Sequence, residues 1–414
     1  MVETIPPYPK RALAIYAAIF AAGIAISVPL ALWWRELYAL RFLRTAGELQ
    51  TVETIVARQQ AAQALYGSAL FEDDFRYKLD LIRARKPEIV ALGSSRALQF
   101  RQEFFSAAFV NAGRAMNSIP EGARFVEEML AVHRPRVVIL ALDVWWLNAN
   151  RREPPTTQRD VLHTGPLVSS FWSYVNERKI TTAKTMRVIW GDNGNPVSAR
   201  TSIGIAALAR GVGFRPDGSR DYGARYFGID PTFDDKNFAN ARYRVRNGAS
   251  LLNFGAEIDR ERLAALTRLI AQLKDAGVEV VGVLPPLAPT VLSLIGDKPQ
   301  QYAYLPQGRA ALRALPIRVF DFLDSRSLPS GDCEFVDGLH AGDIAYQRIL
   351  LSIADAEPSG ILTAMLRRPE MTANIRAYPN HTVTPTPADG YRFPEVDFLG
   401  IGCRKVGSPP LTSK

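Results

Sequence analysis

Cysteine is nearly missing from this chain: Cys333 and Cys403 are the only two. No CxxC pair exists, which argues against a structural zinc site, and no metal or other cofactor is called for. Histidine is almost as scarce, limited to His133, His163, His340 and His381. Any chemistry that needs an imidazole must use one of these four. Long runs of one charge are also absent. The densest basic spot, Arg83, Arg85 and Lys86, is interleaved with Asp80 and Glu88. The formal net charge of +9 is therefore read as solvated faces. Zinc-finger spacing, an aromatic-rich basic ribbon and a helix-turn-helix signature are all missing, so no nucleic-acid partner is expected. A basic surface still suits an anionic polymer or a membrane.

What is present is an ordinary folded composition, 47% hydrophobic and 22% charged, with disorder expected only at the two ends. One apolar run stands out. Ala12 to Trp34 spans 23 residues without a charge, between Lys10–Arg11 and Arg35–Glu36. About 20 apolar residues match the hydrocarbon core of a bilayer. Trp33 and Trp34 fall where an interfacial aromatic belt sits. The run exceeds the apolar region of a cleaved signal peptide, so it is read as an uncleaved transmembrane anchor. Charge alone leaves its orientation open, because Arg35, Arg41 and Arg44 follow it. No second run of that length appears.

The expected organisation is a tail over 1–11, the anchor over 12–34 and a juxtamembrane helical segment over 35–70. A domain over 71–355 follows, and a C-terminal extension occupies 356–414. From residue 88, short apolar runs alternate with helical periodicity. Glu88–Leu92, Phe109–Asn111, Arg136–Leu142, Val278–Leu284 and Ile317–Phe322 read as buried strands. Glu121–Val132, Asp259–Ala276, Gly308–Leu315 and Asp343–Ala354 read as helices. Asp343 is placed to cap the last of these. Residues 151–250 break the alternation and read as a long insertion that covers a cleft, binds a partner or forms an irregular surface excursion. Strands alternating with helices imply an α/β fold with a parallel sheet covered on both faces. Ligands in such sheets bind at the carboxyl ends of strands.

Polar clusters sit at those ends. Gly93-Ser94-Ser95-Arg96 follows the first strand and Asn111-Ala112-Gly113-Arg114 the second. Asp143 and Asn148 follow the third, and Asp337-Gly338-Leu339-His340 precedes the final helix. A serine nucleophile needs a base, usually His, oriented by a carboxylate. His133 ends a helix, His163 lies in the insertion and His381 in the tail. His340 alone follows a core strand with a carboxylate three residues before it. Ser95, His340 and Asp337 are therefore the catalytic candidates, and Arg96, Asp143 and Asn148 are weaker candidates for contacting substrate.

These blocks, in this order, resemble the SGNH/GDSL hydrolase superfamily. The resemblance covers about residues 88–355 and is interrupted by the insertion. It implies a three-layer SGNH-like fold with Ser95 as nucleophile and Asp337 and His340 completing the triad. The oxyanion hole would be formed by the Ser95 and Gly113 amides. Two departures stand out: Ser94 replaces the usual Asp of the first block, and LDVWWLN lacks the Gly-x-Asn-Asp third block. The N-terminal anchor and the Gly-Ser-Ser variant resemble membrane-tethered members that serve extracellular O-acylation. Examples are the D-alanyl transfer protein of the teichoic-acid system and the acetylation proteins of alginate export. That likeness implies an acyltransferase or esterase acting on an extracytoplasmic glycan, with a polytopic membrane O-acyltransferase as partner. It also implies a periplasmic or extracellular domain, where Cys333 and Cys403 would form one disulfide. The alternative is a non-catalytic component of the same fold that binds a glycan or an acyltransferase partner. Trp172, Tyr174, Tyr222, Tyr226 and Phe227 of the insertion are candidates for stacking on sugar rings, or for ordinary packing of a large loop.

Overall fold

The computed structural model describes residues 10–70, 73–152, 164–230 and 232–405. His163 and the start of the insertion lie outside them. The centre of the molecule is a five-stranded sheet of β2 (Ile89–Gly93), β3 (Phe109–Gly113), β4 (Val137–Ala141), β8 (Glu279–Leu284) and β9 (Arg318–Asp321). Its spatial order is β3-β2-β4-β8-β9, and every adjacent pair is parallel. A parallel sheet is covered on both faces, so its strands read as continuous apolar runs. Every residue of β2, β3 and β4 is buried, and each fully buried Val, Ile or Leu contributes about 1.5–3 kcal/mol.

Four of the flanking helices lie close to their expected positions, and a fifth, over 74–85, was not expected. α3 (Asp74–Arg85), α4 (Ile119–Val132), α9 (Arg260–Asp275), α11 (Tyr304–Arg313) and α12 (Asp343–Ala356) flank the sheet. Ser118 caps α4 by accepting from the Glu121 amide, and Asp259 caps α9 by accepting from those of Glu261 and Arg262. Asp343 does not cap α12. It is the first helical residue, Gly342 occupies the cap, and its carboxylate is bound by Arg101 and Thr384 instead. One short helix, α10 (Pro289–Gly296), starts on a proline where sequence patterning indicates no element.

The N-terminal apolar run continues into α1 (Lys10–Ala46), 37 residues and about 55 Å long at 1.5 Å per residue. It is long and apolar enough to cross a membrane. The expected juxtamembrane helix is divided: α1 stops at Gly47, whose φ of +94° suits glycine, and α2 (Val52–Ala62) follows.

The insertion is ordered over its described part. Its first helices, α5 (Thr164–Asn176) and α6 (Thr182–Ile189), with α7 (Ile205–Arg210), close around the end of α1. Ala39, Phe42, Leu43 and Ala46 meet Val168, Phe171, Val188, Ile205 and Leu208 in an apolar cluster separate from the main core. Tyr38 stacks on Trp172 at 5.9 Å, and Phe42 lies 4.8 Å from Phe171. The rest of the insertion joins the main body. A small sheet of two-residue strands, β1 (Leu65–Tyr66), β5 (Ser202–Ile203), β6 (Gly213–Phe214) and β7 (Arg220–Asp221), ties it to the segment after α2. Tyr226 and Phe227 are buried in the main core, with Phe227 against Tyr391 of the C-terminal extension.

Cys333 and Cys403 form a disulfide, with their Cα atoms 5.6 Å apart across a sequence separation of 70. Lys405 reinforces the junction by donating to the Cys333 carbonyl and pairing with Glu395. Cys403→Ser is expected to lower unfolding free energy by about 2–4 kcal/mol, measured by urea titration of unreduced protein. An unchanged midpoint would show that the extension is held without the bridge.

Candidate functional site

β2 ends at Gly93 and passes directly into a turn of 3-10 helix, Ser95–Ala97. Ser94 caps this turn by accepting from the Arg96 amide at 3.2 Å. Ser94 is buried, while Ser95 is partly exposed at the carboxyl edge of the sheet. Capping is the task of Ser94, which leaves the Ser95 hydroxyl available for a partner across the cleft.

The second half of the site comes from the turn before α12. Asp337 Oδ1 accepts from the backbone amides of Leu339 and His340 at 2.8 and 2.9 Å. The Val336 amide donates to the His340 carbonyl at 2.8 Å, closing the turn. Gly338 is required by close approach: a Cβ there would lie 2.4 Å from Val291 of α10 and 2.7 Å from Ala241. This wrapping turns the His340 ring back onto its own Asp.

The two halves meet. Ser95 Oγ is 2.8 Å from His340 Nε2, and His340 Nδ1 is 2.8 Å from Asp337 Oδ2. A carboxylate on Nδ1 places the proton there and leaves Nε2 as an acceptor for the serine hydroxyl. Burial works against the Asp337 charge. The His340 ring and the two backbone amides outweigh it and hold its pKa well below the usual carboxylate range. Asp337 therefore stays ionised as an orienting group.

The other sequence candidates are placed differently. Gly113 does not offer its amide to the site. That N–H donates to the Asn111 side-chain oxygen at 2.8 Å, while the Asn111 amide nitrogen bonds the carbonyls of Ala97 and Phe100. Asn111 is fully buried and satisfied on both ends, so the expected contribution of Gly113 to an oxyanion hole is withdrawn. Asn148 is also buried. Its side chain donates to the Asn253 carbonyl and accepts from the Asn150 amide, which holds the chain ahead of α9 and removes it as a substrate contact.

Arg96 and Asp143 are not substrate ligands either. Both side chains are 1% exposed and pair at 2.9 Å. Arg96 also donates to the carbonyls of Leu339, Pro285 and Pro286 and lies over the Trp145 ring. The Tyr346 hydroxyl donates to the Arg96 carbonyl. Arg96 thus joins the residue after the serine to the residue before the histidine. Arg96→Ala would leave Asp143 buried and unpaired. The expected cost is about 3–5 kcal/mol of stability, read by thermal and urea unfolding. Arg96→Met should destabilise Asp143 likewise, but retain the packing on Trp145.

Beside the triad opens a cleft of about 250 Å³, lined by Asp337, Leu339 and His340 on one side and by Arg225, Phe233, Asp235 and Arg244 on the other. The far wall belongs to the insertion, including its helix α8 (Ala239–Asn247). Arg225 lies over the rings of Phe233 and Tyr222. Burial raises the pKa of Asp235. No periodicity marks this wall, so sequence patterning misses its residues. Trp172 and Tyr174 are absent from the cleft lining and pack around the end of α1. A larger cavity of about 390 Å³, among Arg85, Glu103, Arg200 and Asp217, contains none of the triad.

No family model, curated protein or solved structure matches this chain.

Proposed function

We propose that this chain is a membrane-anchored serine acyltransferase or esterase of the SGNH type, acting on O-acyl groups of an extracytoplasmic glycan. The observation that carries the reading is the unbroken relay from Ser95 through His340 to Asp337, with each link at 2.8 Å. His340 takes the proton from Ser95 as the hydroxyl attacks an ester carbonyl. It returns that proton to the leaving oxygen, giving an acyl-serine. A second oxygen nucleophile, activated by the same ring, releases the acyl group. A sugar hydroxyl as acceptor gives transfer; water gives hydrolysis.

The long apolar helix favours transfer. Anchoring holds the enzyme beside a membrane-borne acyl donor and raises the effective concentration of each for the other. Full-length protein in detergent, given an activated acyl ester with and without envelope oligosaccharides, is expected to form acylated sugar faster than free acid. Rapid hydrolysis unaffected by glycan would instead identify an esterase.

One observation favours a second reading, a non-catalytic SGNH-fold component that binds a glycan or an acyltransferase partner. The Gly113 amide is taken by Asn111, and losing one oxyanion donor typically costs about 100- to 1000-fold in rate. A fluorophosphonate probe separates the two readings. Covalent labelling at Ser95 supports the enzyme; an unlabelled but folded protein supports the binding component.

A further inference from the structure

Trp190, at the end of α6, is 83% exposed. That exceeds the exposure of the large apolar side chains of the span, of which Phe20 is the most exposed at 71%. Met186, one turn earlier on the same helix, is 44% exposed. Two large apolar side chains left open on one short helix indicate a partner surface, and the position of that helix indicates which.

α6 packs directly against α1. The Tyr38 hydroxyl and Thr185 Oγ1 are 2.5 Å apart. The neighbouring α5 packs at the same level, with Trp172 under both Tyr38 and the Arg35 guanidinium. Tyr38 is four residues beyond Trp34, the end of the uncharged run, a rise of about 6 Å. Each headgroup layer of a bilayer is about 5–8 Å thick. Side chains touching Tyr38 are therefore at headgroup depth if α1 crosses the membrane. Tryptophan favours that layer, where its ring meets acyl chains and its N–H meets water. The adjoining surface carries Arg178, Lys179, Lys184 and Arg187; Lys179 pairs with Glu177 and Arg187 with Asp192, which leaves a surplus of two positive charges. Such a surplus is attracted to anionic lipid.

We propose that α5 and α6 form a collar around the foot of α1 that lies in the lipid headgroup layer, with Trp190 inserted among the lipids. This rests on the reading of α1 as a transmembrane helix. The collar adds a second point of membrane attachment, fixing the tilt of the globular part rather than merely tethering it. The insertion then joins the bilayer to the catalytic cleft, because its later residues form the cleft wall.

The test uses the full chain in vesicles of phosphatidylcholine and phosphatidylglycerol. Nitroxide labels are placed one at a time at Ile24→Cys in the span, Trp190→Cys in the collar and Asp275→Cys at the end of α9. Collision with oxygen against a water-soluble nickel complex reports depth. The expected oxygen preference is highest at position 24, intermediate at 190 and lowest at 275, with 190 several-fold above 275. A lipid-like signal at 24 combined with a water-like signal at 190 overturns the collar and leaves the anchor standing. A water-like signal at 24 overturns the anchor and the collar with it. Labelling Met186→Cys should reproduce the result at 190; a water-like signal there confines insertion away from this face and overturns the proposal.

Discussion

Ser95→Ala is expected to abolish acyl-enzyme formation and to lower turnover by about four to six orders of magnitude, with the fold intact. The size follows from the relay, in which nucleophile, base and carboxylate act as a unit. His340→Ala should be as damaging as Ser95→Ala, and the double variant no worse than either alone. Asp337→Asn should cost as much or less. Ser94→Ala provides the internal control: Ser94 caps the 3-10 turn, so its loss should reduce stability by about 1 kcal/mol while labelling at Ser95 persists. Loss of labelling in Ser94→Ala but not in Ser95→Ala would move the nucleophile by one residue. A double variant far worse than both singles would contradict a shared role.

The second large effect is expected at Asp389, far from Ser95 in sequence. Its carboxylate accepts from Arg101 at 2.7 Å and from Arg200 and Arg215 at 3.2 Å each. Arg101 and Arg215 are almost wholly buried. Arg101 also donates to Asp343, three residues past His340. This one carboxylate therefore joins the turn after β2, the insertion, the C-terminal extension and the start of α12. Asp389→Ala leaves three guanidinium groups short of countercharge, and the expected loss is about 3–5 kcal/mol or failure to fold. Asp389→Asn keeps the shape and should retain part of the stability.

The pH dependence has a definite sign. Burial disfavours the Asp389 charge, but the three arginines prevail and hold its pKa far below the ordinary carboxylate value. A depressed folded-state pKa contributes stability above the unfolded value, which is lost as pH falls. Wild-type protein should therefore lose stability steeply below about pH 4, the ordinary carboxylate range. Asp389→Asn, if it folds, should lose less over that interval. An acid-unfolding curve of Asp389→Asn parallel to wild type would show that other carboxylates govern acid stability.

The strands were legible because a parallel sheet buries both faces, so EIVAL, RVVILAL and VEVVGVL announce themselves without any knowledge of their neighbours. The apolar run over 12–34 was legible for the same local reason. Ser95, Asp337 and His340 were legible as candidates because each follows or precedes a readable element and the chain has few histidines. Where buried polarity is concerned, sequence misleads. Arg96, Asp143 and Asn148 look like ligands because they stand at strand ends, yet each is consumed by partners in the fold. Gly113 looks like a donor until Asn111, two residues earlier, closes on its amide.

The insertion was opaque for a different reason. Its residues lack periodicity because they bury against remote parts of the chain: Trp172 against Tyr38, Phe227 against Tyr391 and, as an ion pair, Arg215 against Asp389. Local chemistry, meaning hydrophobic pattern, helix punctuation and the order of the polar blocks, thus determined the sheet, the apolar helix and the three candidate residues. Only the tertiary structure decided which polar groups remain free at the cleft, and which serve as internal struts. Hydrogen bonds and ion pairs between distant residues satisfy a polar group without leaving a trace in its neighbours along the chain.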